Sequence, residues 1–209
     1  PLEAGGSVAA LLVDGDLKLG AIGTVTYVDG EKIVYSKYVY YMLNKPDGYV
    51  SATEDNLYPT VIDLIKEYHP GLFPVGRLDV DTEGLLLITN DGQLAHRLLS
   101  PRTHVPKTYY VKVKGRLGIG DINAFTKGIP LEDFTCMPAF LNIIKSDEIS
   151  ECEVTIYEGK FHQVKRMFQA CGKEVVYLKR ISMGELKLDE SLKLGHYRPL
   201  TDEEINSIL

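Results

Sequence analysis

Residues 75–89 read VGRLDVDTEGLLLIT, which places an arginine and three carboxylates between two glycines and directly before an apolar run. A continuous apolar run of this length, bounded by turn residues, predicts a buried strand. Side chains presented by a loop at the edge of a rigid strand are commonly functional. The turn that holds Arg77, Asp79 and Asp81 is therefore the first candidate site, although an ordinary surface loop with salt bridges would have the same composition.

The segments around this turn mix hairpins with isolated helices. Strands are predicted at residues 38–43, 84–89, 107–114, 139–145, 151–157, 175–178 and 184–188, with a hairpin at 25–35 about Asp29-Gly30. Helices are predicted at residues 60–68, 90–100, 119–127 and 161–171, and after a capping box that begins at Thr201. This order predicts an α+β fold, with a mixed, mostly antiparallel central sheet flanked by helices.

Two of these helices have apolar faces that can be read from the spacing of their residues. The residues expected to face the core are Leu94, Leu98 and Leu99 in the first, and Phe161, Val164 and Phe168 in the second. Lys165 follows Phe161 by four positions, so it is expected to flank the second stripe. A lysine there either extends into solvent or lies beside a carboxylate and keeps it ionised.

The composition excludes several classes of protein. The chain has 209 residues, of which 44% are hydrophobic and 25% charged, a globular balance that rules out long disorder. No apolar stretch approaches the roughly 20 residues of a membrane-spanning helix. Three cysteines without a C-x-x-C motif and five well-separated histidines argue against a disulfide framework and against a metal site. Since no basic leading region precedes the first apolar segment, we expect a cytoplasmic protein.

Basic residues are concentrated in two segments of an otherwise acidic chain, whose net charge is −6. Residues 94–116 contain six basic and no acidic residues, and residues 159–180 contain six basic residues and one glutamate. Each segment alone is equally typical of a solvated face, but together they predict a surface for a polyanion. Tyr109 and Tyr110 lie within the first segment, where their rings could stack on an unpaired base or simply pack in a strand.

The two aspartates of the 75–84 turn suggest a second chemistry. Asp79 and Asp81 could form an acid/base pair of the kind used in glycoside hydrolysis. At this spacing they share a face only if the segment is extended, and their mutual repulsion requires one of them to keep its proton. The hydrolase hypothesis stays open, although the chain has no tryptophan to form a sugar-binding platform.

Several segments, in a shared order and spacing, resemble the RsuA family of pseudouridine synthases, which act on small-subunit ribosomal RNA. The matching segments are MLNKPDGY at residues 42–49, GRLDVDTEGLL at 76–86, TNDG at 89–92, KTY at 107–109, EGKFHQVKRMF at 158–168 and GHYRPL at 195–200. The HQVKRM sequence favours the small-subunit branch over the large-subunit branches. The resemblance implies the pseudouridine synthase fold for residues 38–209, and the first 37 residues would then be a truncated remnant of the S4-like RNA-binding module that usually precedes it.

The resemblance also implies roles for individual residues. Asp79 would be the catalytic aspartate, Lys165 its basic partner, and Tyr109 the tyrosine that stacks on the target base, whereas Asp81 would be only a neighbour. Arg77 would help fill the gap left by the flipped uridine. Further RNA contacts are expected from Arg102, Lys107, His162, Gln163 and Arg166.

The implied reaction converts uridine to pseudouridine by breaking a glycosidic C–N bond and forming a C–C bond to the same ribose. No atom is gained or lost, so neither a cofactor nor a metal is expected, and the sequence contains no nucleotide-binding fingerprint. The expected partner is ribosomal RNA, bound by a monomer after the base is flipped out. Two alternatives remain: a large-subunit ribosomal RNA pseudouridine synthase of the same family, and a ribosomal RNA-binding module without catalysis.

Overall fold

The computed structural model describes residues 7–13, 18–29, 32–36 and 38–209. The first three segments are the strands β1 (Ser7–Val13), β2 (Lys18–Asp29) and β3 (Lys32–Ser36), which pair in that order as an antiparallel sheet. The hairpin predicted about Asp29-Gly30 corresponds to the pairing of β2 with β3, and its turn lies outside the described residues.

The other described residues form a second sheet and the helices that pack on it. Its nine strands are β4 (Tyr40–Lys45), β5 (Phe73–Pro74), β6 (Glu83–Thr89), β7 (Lys107–Lys114), β8 (Phe140–Lys145), β9 (Ile149–Ile156), β10 (Glu174–Met183), β11 (Leu186–Lys187) and β12 (Tyr197–Pro199). The helices are α1 (Gly92–Leu99), α2 (Ile119–Lys127), α3 (Gln163–Ala170) and α4 (Asp202–Ile208), with a 3₁₀ turn at Val61–Leu64. The predicted α+β architecture is confirmed.

One of the described strand pairs in the central sheet is parallel. Its strand order is β12-β4-β6-β10-β7-β9-β8, with β5 beside β6 and β11 beside β10. Strands β6 and β10 run parallel, and the other described pairs run antiparallel. At the start of β6, Gly84 has a φ of +103°, and a Cβ there would lie 2.3 Å from the carbonyl oxygen of Arg180. Only glycine permits this approach of the two backbones.

Helices cover the sheet on both faces, and β6 contributes to the core on each side. Its residues Leu86 and Ile88 lie in a cluster with side chains of α2 and α3, and Leu85 and Leu87 lie in a second cluster with those of α1 and α4. This burial on both faces explains why the sequence of β6 is a continuous apolar run rather than an alternating one. The strand predicted from that run is present.

The helix predicted at residues 60–68 is wrong. The chain makes only the 3₁₀ turn, and Ile65 is already extended. The carboxylate of Asp63 accepts hydrogen bonds from the backbone N–H and the hydroxyl of Thr60, which supports a single turn. The N–H of Lys66 then donates to the Tyr197 hydroxyl at 2.9 Å, so a partner from β12 replaces the helical acceptor.

Two side chains expected in the core are exposed. Leu99 is the last residue of α1 and is 42% exposed, because the helix buries Leu94, Ala95 and Leu98 instead. Phe161 is 74% exposed, because α3 begins two residues later, at Gln163. Among the described residues, no helix combines the length and hydrophobicity that crossing a bilayer requires.

Candidate active site

The turn that carries Asp79 is fixed at its backbone on both sides. Just before it, the N–H of Leu78 donates to the hydroxyl of Ser51, and that hydroxyl donates to the carbonyl of Leu78, each at 3.0 Å. Just after it, the N–H of Thr82 donates to the Asp79 carbonyl at 3.0 Å. Leu78 itself is buried in the core. The Asp79 carboxylate is therefore presented from a constrained backbone, with a quarter of its side chain exposed.

A buried lysine holds the same turn from beneath. Lys45, at the end of β4, is fully buried, and its ammonium donates to the carbonyls of Pro46, Val80 and Thr82 at 2.9–3.0 Å. Burial lowers the pKa of Lys45 from 10.5 to about 8. Its three donors match three backbone acceptors, two of which belong to the Asp79 turn. Lys45 thus cross-links the turn to the end of the neighbouring strand.

Lys165 brings its ammonium to the two aspartates of the turn. It follows the buried Val164 in α3 and lies at the edge of the core, with a quarter of its side chain exposed. Its Nζ lies 3.2 Å from Oδ2 of Asp79 and 2.5 Å from Oδ1 of Asp81. Burial opposes the charged forms of Lys165 and Asp81, but their hydrogen bond and charges raise the pKa of Lys165 and lower that of Asp81. The structure thus shows the predicted contact between Lys165 and Asp79.

His162 places a second nitrogen atom close to the Asp79 carboxylate. Its Nε2 lies 3.6 Å from Oδ1 of Asp79. The residue caps α3 with a φ of +48°, a left-handed conformation that non-glycine residues rarely adopt. Its ring is stacked on that of Phe161, with centroids 3.7 Å apart. His162 was expected only to contact RNA, whereas the structure places it in the first layer around Asp79.

The other predicted site residues differ in how far their side chains are exposed to solvent. Tyr109 is 8% exposed and lies in the core cluster that contains Leu78 and Val164, the sequence neighbours of Asp79 and Lys165. Arg77 and Arg102 are exposed. Arg166 forms an ion pair with Asp133, and its guanidinium lies 5.5 Å from the centroid of the Phe134 ring.

Two residues that were expected to contact RNA are not presented at the surface. Lys107 begins β7 on the face that also carries Tyr109, and its ammonium donates to the Val105 carbonyl. Burial, followed by the charge of Arg180, lowers its pKa to about 8. Gln163 is only 4% exposed. Its side-chain amide donates to Glu158 and accepts from the N–H of Lys160, and these two hydrogen bonds close the turn before α3.

Among the described residues, no group of three or more His, Cys, Asp or Glu side chains is arranged to hold a metal ion.

Comparison with known proteins identifies the family. The family model for RNA pseudouridylate synthase matches residues 39–170. The chain belongs to this family. It is 51% identical over 183 residues to the uncharacterized RNA pseudouridine synthase YtzG of Bacillus subtilis, covering 86% of this chain and 77% of that protein. It is 47% identical over 173 residues to the ribosomal small subunit pseudouridine synthase A of Salmonella typhimurium, covering 81% and 73%. A crystal structure of pseudouridylate synthase superimposes with a TM-score of 0.76 and 41% identity, covering 90% and 77%.

As a pseudouridine synthase, the protein is an isomerase that acts on uridine in RNA. Family membership overturns the hypothesis of a hydrolase that uses Asp79 and Asp81 as an acid/base pair. The geometry agrees, because one ammonium contacts both carboxylates and, against the opposing effect of burial, its hydrogen bond and charge lower the pKa of Asp81. A general acid would instead need an environment that retains its proton.

The sequence did not reveal the residues that position the Asp79 turn. Lys45 and Ser51 contact backbone atoms more than 25 positions away. One signal was present for Lys45, since it lies at the end of an apolar strand and directly precedes Pro46. A lysine at the buried end of a strand needs acceptors, and the nearest carbonyls are those of the adjoining turns.

Proposed function

We propose that this pseudouridine synthase modifies one specific uridine of 16S, small-subunit ribosomal RNA, with Asp79 as the nucleophile. The substrate is supported by the names of relatives such as the small subunit enzyme of Salmonella typhimurium, and by the HQVKRM sequence at residues 162–167. The target uridine leaves the RNA stack to reach Asp79, which costs a few kcal/mol. Phosphate contacts from the two basic segments offset that cost.

The single observation that carries the nucleophile assignment is the contact of the Asp79 carboxylate with the Lys165 ammonium at 3.2 Å. The side chain of Asp79 is one quarter exposed, so a flipped nucleoside can reach it, and the Lys165 ammonium lies beside it as a counter-ion. An ionised carboxylate can add to C6 of the uracil, or assist departure of the base at C1′ of the ribose. Both routes end with a bond between C5 and C1′ and with loss of the C5 proton.

The remaining residues have supporting roles in this proposal. Tyr109 lies in the core cluster beside Leu78, so its ring would form the floor on which the flipped uracil stacks. Arg77 is exposed two residues before Asp79, where it would occupy the gap left by the uridine. Arg102 and Arg166 would contact phosphates, the latter after exchanging its partner Asp133.

We propose that the chain has two parts: residues 1–37 are a remnant of an S4-like RNA-binding module, and residues 38–209 are the catalytic domain. The family match begins at residue 39, and the strands within residues 7–36 form a sheet of their own, which supports this division. We further propose that the enzyme acts as a monomer in the cytoplasm, and size-exclusion chromatography with light scattering checks its mass.

The test compares two aspartate variants that differ in one respect. Asp79→Asn and Asp81→Asn each remove a carboxylate that contacts Lys165, but only the first removes the proposed nucleophile. Unmodified small-subunit RNA is incubated with each protein, and pseudouridine is mapped by carbodiimide-blocked primer extension. We expect one new stop with the wild type and with Asp81→Asn, and none with Asp79→Asn, which still binds the RNA.

Three outcomes would contradict parts of this proposal. Turnover by Asp79→Asn would end the nucleophile assignment. A stop only in large-subunit RNA would redirect the enzyme to the other ribosomal subunit. Binding without any stop in either RNA, with the wild-type protein, would support a ribosomal RNA-binding module that lacks catalysis.

A further inference from the structure

Phe161 is an exposed aromatic side chain beside the Asp79 site that the reaction itself does not use. It is 74% exposed, so its ring is left largely in water. Burying a phenylalanine ring is favourable, and the folded chain here largely forgoes that gain. One face of the ring is covered, because the His162 ring is stacked on it at a centroid distance of 3.7 Å and an angle of 17°.

The backbone that carries this aromatic pair is held by a closed set of hydrogen bonds. The N–H of Gln163 donates to the Lys160 carbonyl, and the N–H of Lys160 donates to the Gln163 side chain. The amide of Gln163 in turn donates to Glu158 at 2.7 Å. His162 adopts its left-handed conformation within this turn. Phe161 is therefore presented from an ordered turn, which reduces the entropy lost when a ligand packs on it.

The stacked rings of Phe161 and His162 lie next to the Asp79 carboxylate. The Nε2 atom of His162 lies 3.6 Å from Asp79, and the Phe161 ring lies on that imidazole. Two cationic residues are close to the pair along the chain: Lys160 directly precedes Phe161, and the backbone N–H of Arg166 donates to the His162 carbonyl at 2.9 Å. An exposed ring next to cations is the arrangement that binds single-stranded nucleic acid, through stacking on bases and attraction of phosphates.

We propose that Phe161 is a stacking platform for the nucleotide next to the flipped uridine, with His162 extending the stack toward Asp79. This inference rests on the proposed function, because it concerns the RNA that the Asp79 site modifies. When the target uridine leaves the helix, the neighbouring base loses a stacking partner, and the open face of Phe161 replaces it. Phe161 thereby contributes to RNA binding and to the choice of site, rather than to the chemical step.

The experiment uses the full chain and an RNA fragment that spans the uridine mapped with wild-type enzyme. Phe161→Ala should raise KM about tenfold with little change in kcat, which is the loss expected for one stacked base. Phe161→Tyr should restore the wild-type KM, because a tyrosine ring stacks equally well. In a fragment with 2-aminopurine beside the target, wild-type protein and Phe161→Tyr should quench its fluorescence, and Phe161→Ala should not.

Phe140→Ala is the matched control. Phe140 begins β8, is 63% exposed, and adjoins the buried Leu141, so its side chain points away from the core cluster that contains Tyr109. We expect it to leave both KM and the fluorescence unchanged. If Phe161→Ala lowers kcat without raising KM, the ring only positions His162 and the platform is refuted.

Equal KM and equal quenching in Phe161→Ala and wild type would also refute the platform. In both cases wild-type turnover shows that the proposed function still holds. If the wild type forms no pseudouridine, or Asp79→Asn remains active, it is instead the proposed function that fails.

Discussion

Replacing Lys45 by methionine separates the role of its ammonium from that of its aliphatic chain. Methionine has a similar volume, so packing at this fully buried position is largely preserved. The substitution removes the ammonium donor from the carbonyls of Pro46, Val80 and Thr82, of which Val80 still accepts from the N–H of Gly48 at 3.0 Å. We expect the Asp79 turn to loosen, so that the variant is less stable and also less active.

The magnitude follows from two opposing contributions. Each buried acceptor left without a partner costs about 1–3 kcal/mol, and losing one of two hydrogen bonds costs about 1 kcal/mol. The carbonyls of Pro46 and Thr82 lose their ammonium donor and Val80 loses one of two donors, so the total cost is about 5 kcal/mol. Removing a buried charge regains its desolvation penalty. The fall of the Lys45 pKa from 10.5 to about 8 corresponds to about 3 kcal/mol of that penalty. The free energy of unfolding should therefore fall by about 2 kcal/mol near pH 7.5.

This difference should depend on pH in a direction set by the lowered pKa. Between about pH 8 and pH 10.5 the unfolded chain binds more protons at Lys45 than the folded chain does, so the wild type gains stability as pH rises. The gain is complete above the unfolded pKa and is lost as pH falls through the folded pKa. Urea unfolding should show the gap between wild type and Lys45→Met widening by about 2 kcal/mol from pH 7.5 to pH 10.

Lys107→Met is the matched control for this experiment. Lys107 is also buried and also has a pKa of about 8, but its ammonium donates only to the Val105 carbonyl. One lost acceptor costs about 2 kcal/mol and the relieved desolvation returns about 3, so this variant should equal or slightly exceed wild-type stability. If Lys45→Met were as stable as Lys107→Met, or if its gap to wild type did not grow with pH, the three-carbonyl tether would be refuted.

Two further substitutions test the scaffold of the site. Gly84→Ala should cost at least about 3 kcal/mol or prevent folding, because its Cβ would lie 2.3 Å from the Arg180 carbonyl oxygen. Thermal melts should show no such loss for Gly92→Ala, since no atom lies within 4 Å of that added methyl. Ser51→Ala should lower the free energy of unfolding in urea by about 3 kcal/mol, because it leaves the buried N–H and carbonyl of Leu78 unpaired. Wild-type stability in Ser51→Ala would show that water replaces the hydroxyl.

Much of the fold could be predicted because local patterns agreed with tertiary burial. The strand at Lys107–Lys114 and the helix at Ile119–Lys127 have the predicted bounds. In the strand the alternation of apolar residues matches one buried face, so local and global preferences coincide there. The helix predicted at residues 60–68 failed because its apolar spacing was helical while its N–H groups found other acceptors, including the Tyr197 hydroxyl.

The site was predictable to the extent that it consists of side chains with recognisable chemistry. The contact of Lys165 with Asp79 followed from an arginine-and-carboxylate turn, an amphipathic helix and a family resemblance. Lys45 and Ser51 act on backbone atoms that are distant in the sequence, and the only sign of this in the sequence is the position of Lys45 at the end of an apolar strand. Phe161 was assigned to the core because its spacing fits α3, and only the position of the helix start shows otherwise.

The two lysines at the Asp79 turn differ in what they can do during catalysis. Lys45 donates to carbonyls from a fully buried position, where its three hydrogen bonds leave no capacity for substrate. Lys165 is partly exposed and divides its ammonium between Asp79 and Asp81. In the proposed mechanism, in which Asp79 forms a bond and loses its charge, Asp81 would remain as the counter-ion of the ammonium. The proposal thereby gives the second aspartate a role, which is to keep Lys165 paired throughout the reaction.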